Sequence, residues 1–298
     1  MKYIFFGTPE FAVIILEKLI NAGFIPEAVV CNPDKPVGRK KIITPPAVKQ
    51  LLIEKFKDYK IKILQPKILA NYKLQITNYK PDFFIVAAYS KILPKEILKI
   101  SRLGTIGVHP SLLPKYRGVS PIQTTILNGE KETGVTLYLM DKEIDSGPIL
   151  ATSHLPLSNS DNYELMIKKL AESGADLLVE FLRKIEPISN QQLAISNLAI
   201  PQDESQATYT KKFKTEDAFI ESQDLEKARG SIGSPQETRQ LAVEIDRKIR
   251  ALNPEPGTWT ILNGKRTKLL EAKVIDEKLK ITKIQVEGKK SQNTCRVV

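Results

Sequence analysis

Short apolar runs alternate with helix-period segments through the first half of the chain. Residues 3–6 predict a buried strand. Thr8-Pro9-Glu10 then opens a helix, with Thr8 as the cap, Pro9 in the first turn and Glu10 near the positive helix end. Phe11, Ile14, Ile15, Leu19 and Ile20 keep helical spacing before Gly23 stops it. Further strands are predicted at 28–31, 61–64, 83–87 and 105–108. Between them lie a polar loop over 32–44, a helix over about 46–56 and another through the late 60s and 70s. The run at 83–87 is apolar throughout, as a central parallel strand requires. This alternation predicts an α/β fold: a Rossmann-like, doubly wound, mostly parallel sheet, with ligands beyond the carboxyl ends of its strands. Gly7-Thr8-Pro9 is not the Gly-x-Gly-x-x-Gly fingerprint, which speaks against a nicotinamide enzyme.

Two more strands, 135–140 and 149–155, flank a turn at 141–147, and 161–184 is the longest helical pattern. The period is lost from about 186 to 206, where Pro, Ser, Asn and Gln dominate. A different texture follows. A helix near 238–251 and the turn-rich Asn253-Pro254-Glu255-Pro256-Gly257 precede β-like runs at 258–262, 267–270, 273–275 and 279–286. Asn263-Gly264 between the first two is a hairpin signal. The Gly and Ser of 225–238 read as a surface loop. Short strands with tight turns predict a small β-barrel. The expected organisation is therefore a first domain over 1–186, a linker over 187–206 and a second domain over 207–298.

Composition adds a partner class. The chain has 298 residues, ample for two cores, with a formal net charge of +11. Residues 207–298 hold 19 Lys and Arg against 13 Asp and Glu, a surplus of six. Such a surplus raises the expectation of a polyanionic partner, nucleic acid or an anionic membrane face, without choosing between them. Cys31 and Cys295 are far apart and form no Cys-x-x-Cys, so neither a zinc knuckle nor a redox pair is suggested. The apolar run before Gly7 is too short for a signal segment, and no stretch reaches the length of a membrane span. A soluble, cytoplasmic, monomeric protein is the expectation.

Candidate chemistry concentrates at Gly107-Val108-His109-Pro110-Ser111-Leu112-Leu113-Pro114-Lys115-Tyr116-Arg117-Gly118. Two prolines bracket His-Pro-Ser-Leu-Leu-Pro, so it is a shaped loop at a strand end. His109 is one of two histidines. The second signal is Asp141-Lys142-Glu143-Ile144-Asp145-Ser146-Gly147. Spacing alone favours a structural histidine and an ordinary turn over a catalytic His109–Asp145 pair, which stays open. A metal site is not expected, since one His and a carboxylate or two make a poor ligand set.

These two segments resemble the folate-dependent formyltransferase superfamily, whose shared core looks like Asn-x-His-x-Ser-Leu-Leu-Pro followed by Asp-x-Gly-x-Asp-x-Gly. The chain is further similar to the methionyl-tRNA formyltransferase family over Ile4-Phe5-Phe6-Gly7-Thr8-Pro9-Glu10-Phe11-Ala12, Pro33-Asp34-Lys35-Pro36-Val37-Gly38-Arg39-Lys40-Lys41, Ala87-Ala88-Tyr89-Ser90-Lys91-Ile92-Leu93-Pro94 and Ile249-Arg250-Ala251-Leu252-Asn253-Pro254-Glu255-Pro256-Gly257-Thr258-Trp259-Thr260. The resemblance implies transfer of a formyl group from 10-formyltetrahydrofolate to the amino group of methionyl-initiator tRNA. It implies His109 at the formyl oxygen or the moving proton, Asp145 orienting the imidazole, and Ser111, Leu112, Leu113 and Pro114 as the folate-contacting loop. It also implies an OB-like second domain, and Lys35, Arg39, Lys40 and Lys41 reaching the acceptor end of the tRNA. The glycine that relatives carry between Arg39 and Lys40 is missing.

One departure touches the chemistry. The family has asparagine two residues before the histidine; here Gly107 stands there. Removing one oxyanion donor costs on the order of 10²–10³ in rate. A less active enzyme, another donor or a water in the vacated space, and a tRNA-binding protein without turnover all stay open. Retention of His109, Asp145 and the folate loop favours a working enzyme. A formyltransferase for a small amine or sugar nucleotide is the remaining alternative. Restoring asparagine at 107 discriminates: a large gain in rate means that the remaining site is intact, and no gain favours tRNA binding without turnover.

Overall fold

The structure is a computed structural model of the chain and describes residues 1–38, 40–188 and 195–294. It divides into two compact units: residues 1–118, 132–156 and 167–209, and residues 119–131, 157–166 and 210–298.

The first unit is built on a seven-stranded sheet. Its strands in chain order are β1 (Tyr3–Gly7), β2 (Ala28–Val30), then, after the hairpin strands β3 (Lys35–Val37) and β4 (Ile42–Thr44), β5 (Lys62–Leu64), β6 (Phe83–Ala87) and β7 (Thr105–His109). The short β8 (Arg117–Gly118) lies outside this sheet, which is completed by β9 (Glu132–Leu139) and β10 (Ile149–Pro156). The order is β10-β9-β7-β6-β1-β2-β5. The five strands from β5 to β7 are parallel, and β9 and β10 continue the sheet antiparallel to their neighbours.

Every residue of β1 and β6 is buried, which is why these runs are apolar without alternation. Ile4, Phe6, Phe84 and Val86 point to one face, where Leu69, Ile76 and Ile97 close over them. Ile76 belongs to α3 (Lys73–Asn78) and Ile97 to α4 (Lys95–Leu98); α1 (Glu10–Asn21) and α2 (Ala47–Lys55) precede them in the chain. Tyr3 and Phe83, one residue out of phase, stack with ring centroids 5.5 Å apart. Gly107 pairs with Val86 across β6 and β7, so Gly107 and His109 lie on the face of Val86.

Local details differ from the sequence expectation. Thr8 does not cap α1, whose N-cap is Pro9; its hydroxyl accepts from the Asn32 backbone N–H at 3.3 Å and ties β1 to the end of β2. The polar loop at 32–44 contains the antiparallel hairpin β3–β4, with Lys35 opposite Thr44 and Val37 opposite Ile42. Three-residue strands with exposed side chains leave no buried face for a period to mark.

In the second unit, α5 (Pro121–Asn128), α7 (Ser222–Ala228) and α8 (Pro235–Leu252) accompany β12 (Trp259–Leu262), β13 (Lys265–Ile275), β14 (Lys278–Val286) and β15 (Gln292–Asn293), an antiparallel sheet in that order. The intervening elements are α6 (Tyr163–Ile185) and β11 (Tyr209–Thr210). Ala242, Ile245 and Ile249 of α8 pack on Leu269, Leu279 and Ile284 of the sheet. Asn263 and Gly264 both have positive φ, as the two-residue turn between β12 and β13 requires. The runs at 267–270 and 273–275 are one strand, β13, whose register shifts between Leu269 and Ala272 and so breaks the alternation. Within 225–238 the Gly- and Ser-bearing residues 230–234 are an exposed connection, as expected, flanked by the end of α7 and the start of α8, where Ser234 and Glu237 form a reciprocal capping box.

Among the described residues no helix is long and apolar enough to cross a membrane. Cys31 is fully buried at the end of β2, and burial pushes its thiol pKa up to about 12. In a Cys295→Ser background the folded protein is therefore expected to leave Cys31 unmodified by a thiol-specific reagent at pH 8, with modification only on unfolding. Prompt labelling of Cys31 by a disulfide reagent contradicts this packing.

Candidate active site and basic hairpin

His109 closes β7, and its buried ring has one nitrogen hydrogen-bonded and the other facing a carboxylate. Nε2 lies 2.9 Å from the Tyr116 carbonyl oxygen. A carbonyl only accepts, so Nε2 carries the hydrogen. Nδ1 faces Asp145 Oδ2 at 3.5 Å. The structure thus brings together the two residues that lie 36 positions apart in the sequence.

Asp145 sits in the loop between β9 and β10 with φ of 52°, a left-handed conformation that aspartate adopts more readily than most residues. Three donors hold it there. The Gly118 N–H donates to Oδ2 at 2.7 Å, the Tyr138 hydroxyl donates to Oδ1 at 2.6 Å, and Gln202 Nε2 donates to the Asp145 carbonyl at 2.9 Å. Gln202 also reaches the Gly147 carbonyl at 2.7 Å. Gln202 is braced in turn by Arg117, which is 1% exposed. The Arg117 guanidinium donates to Gln202 Oε1 at 2.8 Å and to the two carboxylate oxygens of Glu204 at 2.6 and 2.9 Å. The Glu204 hydrogen bonds hold the Arg117 pKa above its ordinary value, so the guanidinium stays charged despite its burial. The segment read as a linker thus carries two side chains, Gln202 and Glu204, that shape the site.

Gly107 is the cross-strand partner of Tyr138. The outer edge of the tyrosine ring lies over the glycine: a Cβ at 107 would stand 2.6 Å from Cζ and 2.9 Å from the hydroxyl oxygen, and closer still to Cε1. Asparagine therefore does not fit at 107 while Tyr138 keeps its place. A lack of gain with asparagine at 107 would therefore report the overlap with Tyr138 and not the absence of turnover. The space is filled by a phenol, not vacant. Tyr138 is 3% exposed, and burial followed by the Asp145 charge keeps its pKa well above 10. The phenol stays protonated and donates.

The predicted folate loop is pinned from inside. Ser111 is fully buried, and its hydroxyl donates to the Lys115 carbonyl at 2.7 Å. The Thr136 hydroxyl donates to the Ser111 carbonyl at 2.7 Å and accepts from the Leu113 N–H at 3.1 Å. Leu113 is buried, while Leu112 and Pro114 are half-buried. Ser111 and Leu113 thus hold the loop's shape instead of offering their side chains outward. Elsewhere, Ile92 after β6 is 83% exposed, and Ile144, next to Asp145, is 60% exposed.

On the β3–β4 hairpin, Lys35, Lys40 and Lys41 are exposed, and Arg39 lies outside the described residues. Asp34 does not neutralise them. Both its carboxylate oxygens accept from Lys49 Nζ at 2.9 Å and one accepts from Gln65 at 2.7 Å, which lowers its pKa, Gln65 first. Among the described residues no carboxylate lies within ion-pair distance of Lys35, Lys40 or Lys41. Nor is any group of three or more His, Cys, Asp or Glu side chains there placed to hold a metal ion.

Sequence reasoning missed Tyr138, Gln202, Arg117 and Gly118 as supports of Asp145. Arg117 and Gly118 stand inside the motif that was singled out, whereas nothing local marks Tyr138 or Gln202.

Two family models match the chain: one described as formyl transferase over residues 1–182, the other as formyl transferase, C-terminal domain, over residues 239–295. A methionyl-tRNA formyltransferase of Dictyoglomus thermophilum is 42% identical over 276 residues, covering 91% of this chain and 79% of that protein. One of Kosmotoga olearia is 39% identical over 278 residues, covering 93% and 81%. Among solved structures, an N-formyltransferase from Helicobacter canadensis in complex with folinic acid and dTDP-3-aminofucose superposes with a TM-score of 0.60 at 21% identity, covering 93% of this chain and 88% of that one, a likeness of fold.

Proposed function

The chain belongs to the methionyl-tRNA formyltransferase family, and we propose that it transfers the formyl group of 10-formyltetrahydrofolate to the amino group of methionyl-initiator tRNA, with His109 and Asp145 as the working pair. The observation that carries this reading is the Asp145 carboxylate, fixed by two donors and turned toward His109 Nδ1 at 3.5 Å. A formyl transfer between nitrogens needs little more than a managed proton and a donor for the charge that develops on the formyl oxygen. The amine forms its bond to the formyl carbon, the carbon–nitrogen bond to the folate breaks, and the proton lost by the amine ends on the nitrogen that leaves. With Nε2 committed to the Tyr116 carbonyl, Nδ1 is the atom of His109 that takes this proton. Asp145 stabilises the imidazolium that results, and the same N–H donates to the charged oxygen and returns the proton.

The folate supplies the activated formyl group and a flat ring to be held. Ile92 and Ile144 offer exposed apolar surface for such a ring, and Leu112 and Pro114 present their half-buried edges. Ser111 and Leu113 support the loop from beneath.

The division of labour is also a proposal: chemistry in residues 1–186, a linker at 187–206, and tRNA in residues 207–298, whose charge surplus is six. Lys35, Lys40 and Lys41, with Arg39, extend the basic surface on the hairpin. Replacing Lys35, Lys40 and Lys41 together by alanine is expected to weaken tRNA binding and to flatten the plot of log affinity against log salt by about two to three, roughly one per lost phosphate contact. A salt slope equal to that of the unmodified chain removes the hairpin from the tRNA interface.

The small-amine alternative is not favoured, because relatives at 39 and 42% identity over nine-tenths of the chain are methionyl-tRNA formyltransferases. The deciding experiment is formylation of charged initiator tRNA with 10-formyltetrahydrofolate. Product is expected with the chain as it stands, Gly107 included. No product with protein equimolar to tRNA overturns the reading and leaves tRNA binding without turnover.

A further inference from the structure

Gly107 and Tyr138 look like separate oddities in the sequence, a missing side chain in one strand and a phenol in the next. The fold makes them one feature. They are directly opposite each other in the antiparallel β7–β9 pair, on the sheet face that carries His109. The tyrosine ring occupies the volume into which any side chain at 107 would grow. Its hydroxyl continues past the glycine to Asp145 Oδ1 at 2.6 Å.

We infer that Tyr138 is a positioning residue for the transfer reaction. Its ring takes the space left at Gly107, and its hydroxyl locks the Asp145 carboxylate in the orientation that faces His109. The chemistry of the carboxylate makes the lock specific. Asp145 carries one donor on each oxygen, Tyr138 on Oδ1 and the Gly118 N–H on Oδ2. Rotation about Cβ–Cγ breaks at least one of these bonds, so the direction that Oδ2 presents to Nδ1 is fixed. The Asp145 backbone is separately held by Gln202, which leaves the side-chain torsion as the freedom that Tyr138 removes. An aromatic ring laid over a cross-strand glycine is also a packing device in its own right. Such a ring has no use for a hydroxyl, and that difference can be measured.

This inference rests on the reading of His109 and Asp145 as the working pair. The test uses the full chain, with 10-formyltetrahydrofolate and charged initiator tRNA as substrates. Tyr138→Phe keeps the ring over Gly107 and removes only the hydroxyl. It is expected to fold with a thermal midpoint close to that of the unmodified protein, and to lose about 10- to 100-fold in kcat with KM for both substrates nearly unchanged. A phenylalanine variant with full kcat overturns the inference and leaves Tyr138 as packing alone. Gly107→Asn by itself is expected to lower kcat. In a Tyr138→Leu background, where the side chain ends before Cε1, the same asparagine is expected to raise it at least about tenfold over the leucine variant, a coupling that a double-mutant cycle measures. Gly107→Asn that outpaces the unmodified chain contradicts the shared volume.

Turnover by the unmodified chain tests the parent reading. The inference has its own readout in the ring ¹⁵N resonances of His109, one of only two histidines. Tyr138→Phe is expected to move these signals and leave those of His154 in place. Unmoved His109 signals overturn the inference whatever the turnover.

Discussion

With His109 replaced by alanine, kcat for formylation of charged initiator tRNA falls by about 10²–10⁴-fold, while KM for either substrate stays within a small factor. The size follows from what His109 alone supplies. Its Nε2 hydrogen is committed to the Tyr116 carbonyl, so Nδ1 is the one basic atom beside Asp145. On the proposed mechanism, losing the ring leaves the amine's proton without a side-chain nitrogen to take it, and the oxygen charge loses an N–H donor at the same step. Asp145→Asn is expected to fall in the same range for a different reason. An amide has one acceptor oxygen, yet Gly118 and Tyr138 both donate to this side chain. With its oxygen on the Gly118 N–H, its NH₂ donates to the Tyr138 hydroxyl, which turns from donor to acceptor, and the negative charge facing His109 is lost. Steady-state rates at saturating folate and tRNA decide the matter. An alanine variant within threefold of the unmodified kcat removes His109 from the reaction.

Gly147→Ala is the second large effect, and it acts on backbone before chemistry. The loop that carries Asp145 is pinched at its base. The Leu139 N–H donates to the Pro148 carbonyl at 2.9 Å, and a Cβ on Gly147 would be driven onto the Leu139 carbonyl oxygen, 2.9 Å from its carbon. Nothing flexible stands there to yield, so the two backbone segments separate. Overpacking of this kind costs about 1–3 kcal/mol and more where backbone must move. In a chain of this size that lowers the thermal midpoint by several degrees, at about 2–4 °C per kcal/mol. Gln202 spans the Asp145 and Gly147 carbonyls, so widening the base also shifts Asp145. A displacement of about 1 Å is enough to cost 10²-fold in rate. The expected result is a lower melting temperature together with a kcat loss that persists at 20 °C, where the variant is folded. Unchanged melting and unchanged rate show that the loop base tolerates a side chain.

Two of these variants, Asp145→Asn and Tyr138→Phe, also separate the carboxylate's charge from its aim. The first removes the charge and disturbs the donors; the second leaves the charge and releases one donor. Greater loss for Asp145→Asn than for Tyr138→Phe is the order that a stabilised imidazolium requires.

The sequence by itself determined the strands whose apolar runs are buried on both sides, such as 3–6 and 83–87, because a parallel strand between helices has no polar face to keep. It determined the Asn263-Gly264 turn, where both residues need positive φ. It marked His109 and Asp145, because their motif resembles that of a known family. Tertiary structure alone decided what holds Asp145: Gly118 and Gln202 reach it from 27 and 57 residues away. It decided that Gly107 is covered, since only strand register places Tyr138 opposite it, and a slip of one residue would turn that ring to the other face. It also drew Gln202 and Glu204 out of a stretch that reads as linker and set them around a buried arginine. Period and turn chemistry are written in neighbouring residues. The partner of a buried polar group is written in strand pairing and loop closure, which no local window of sequence contains.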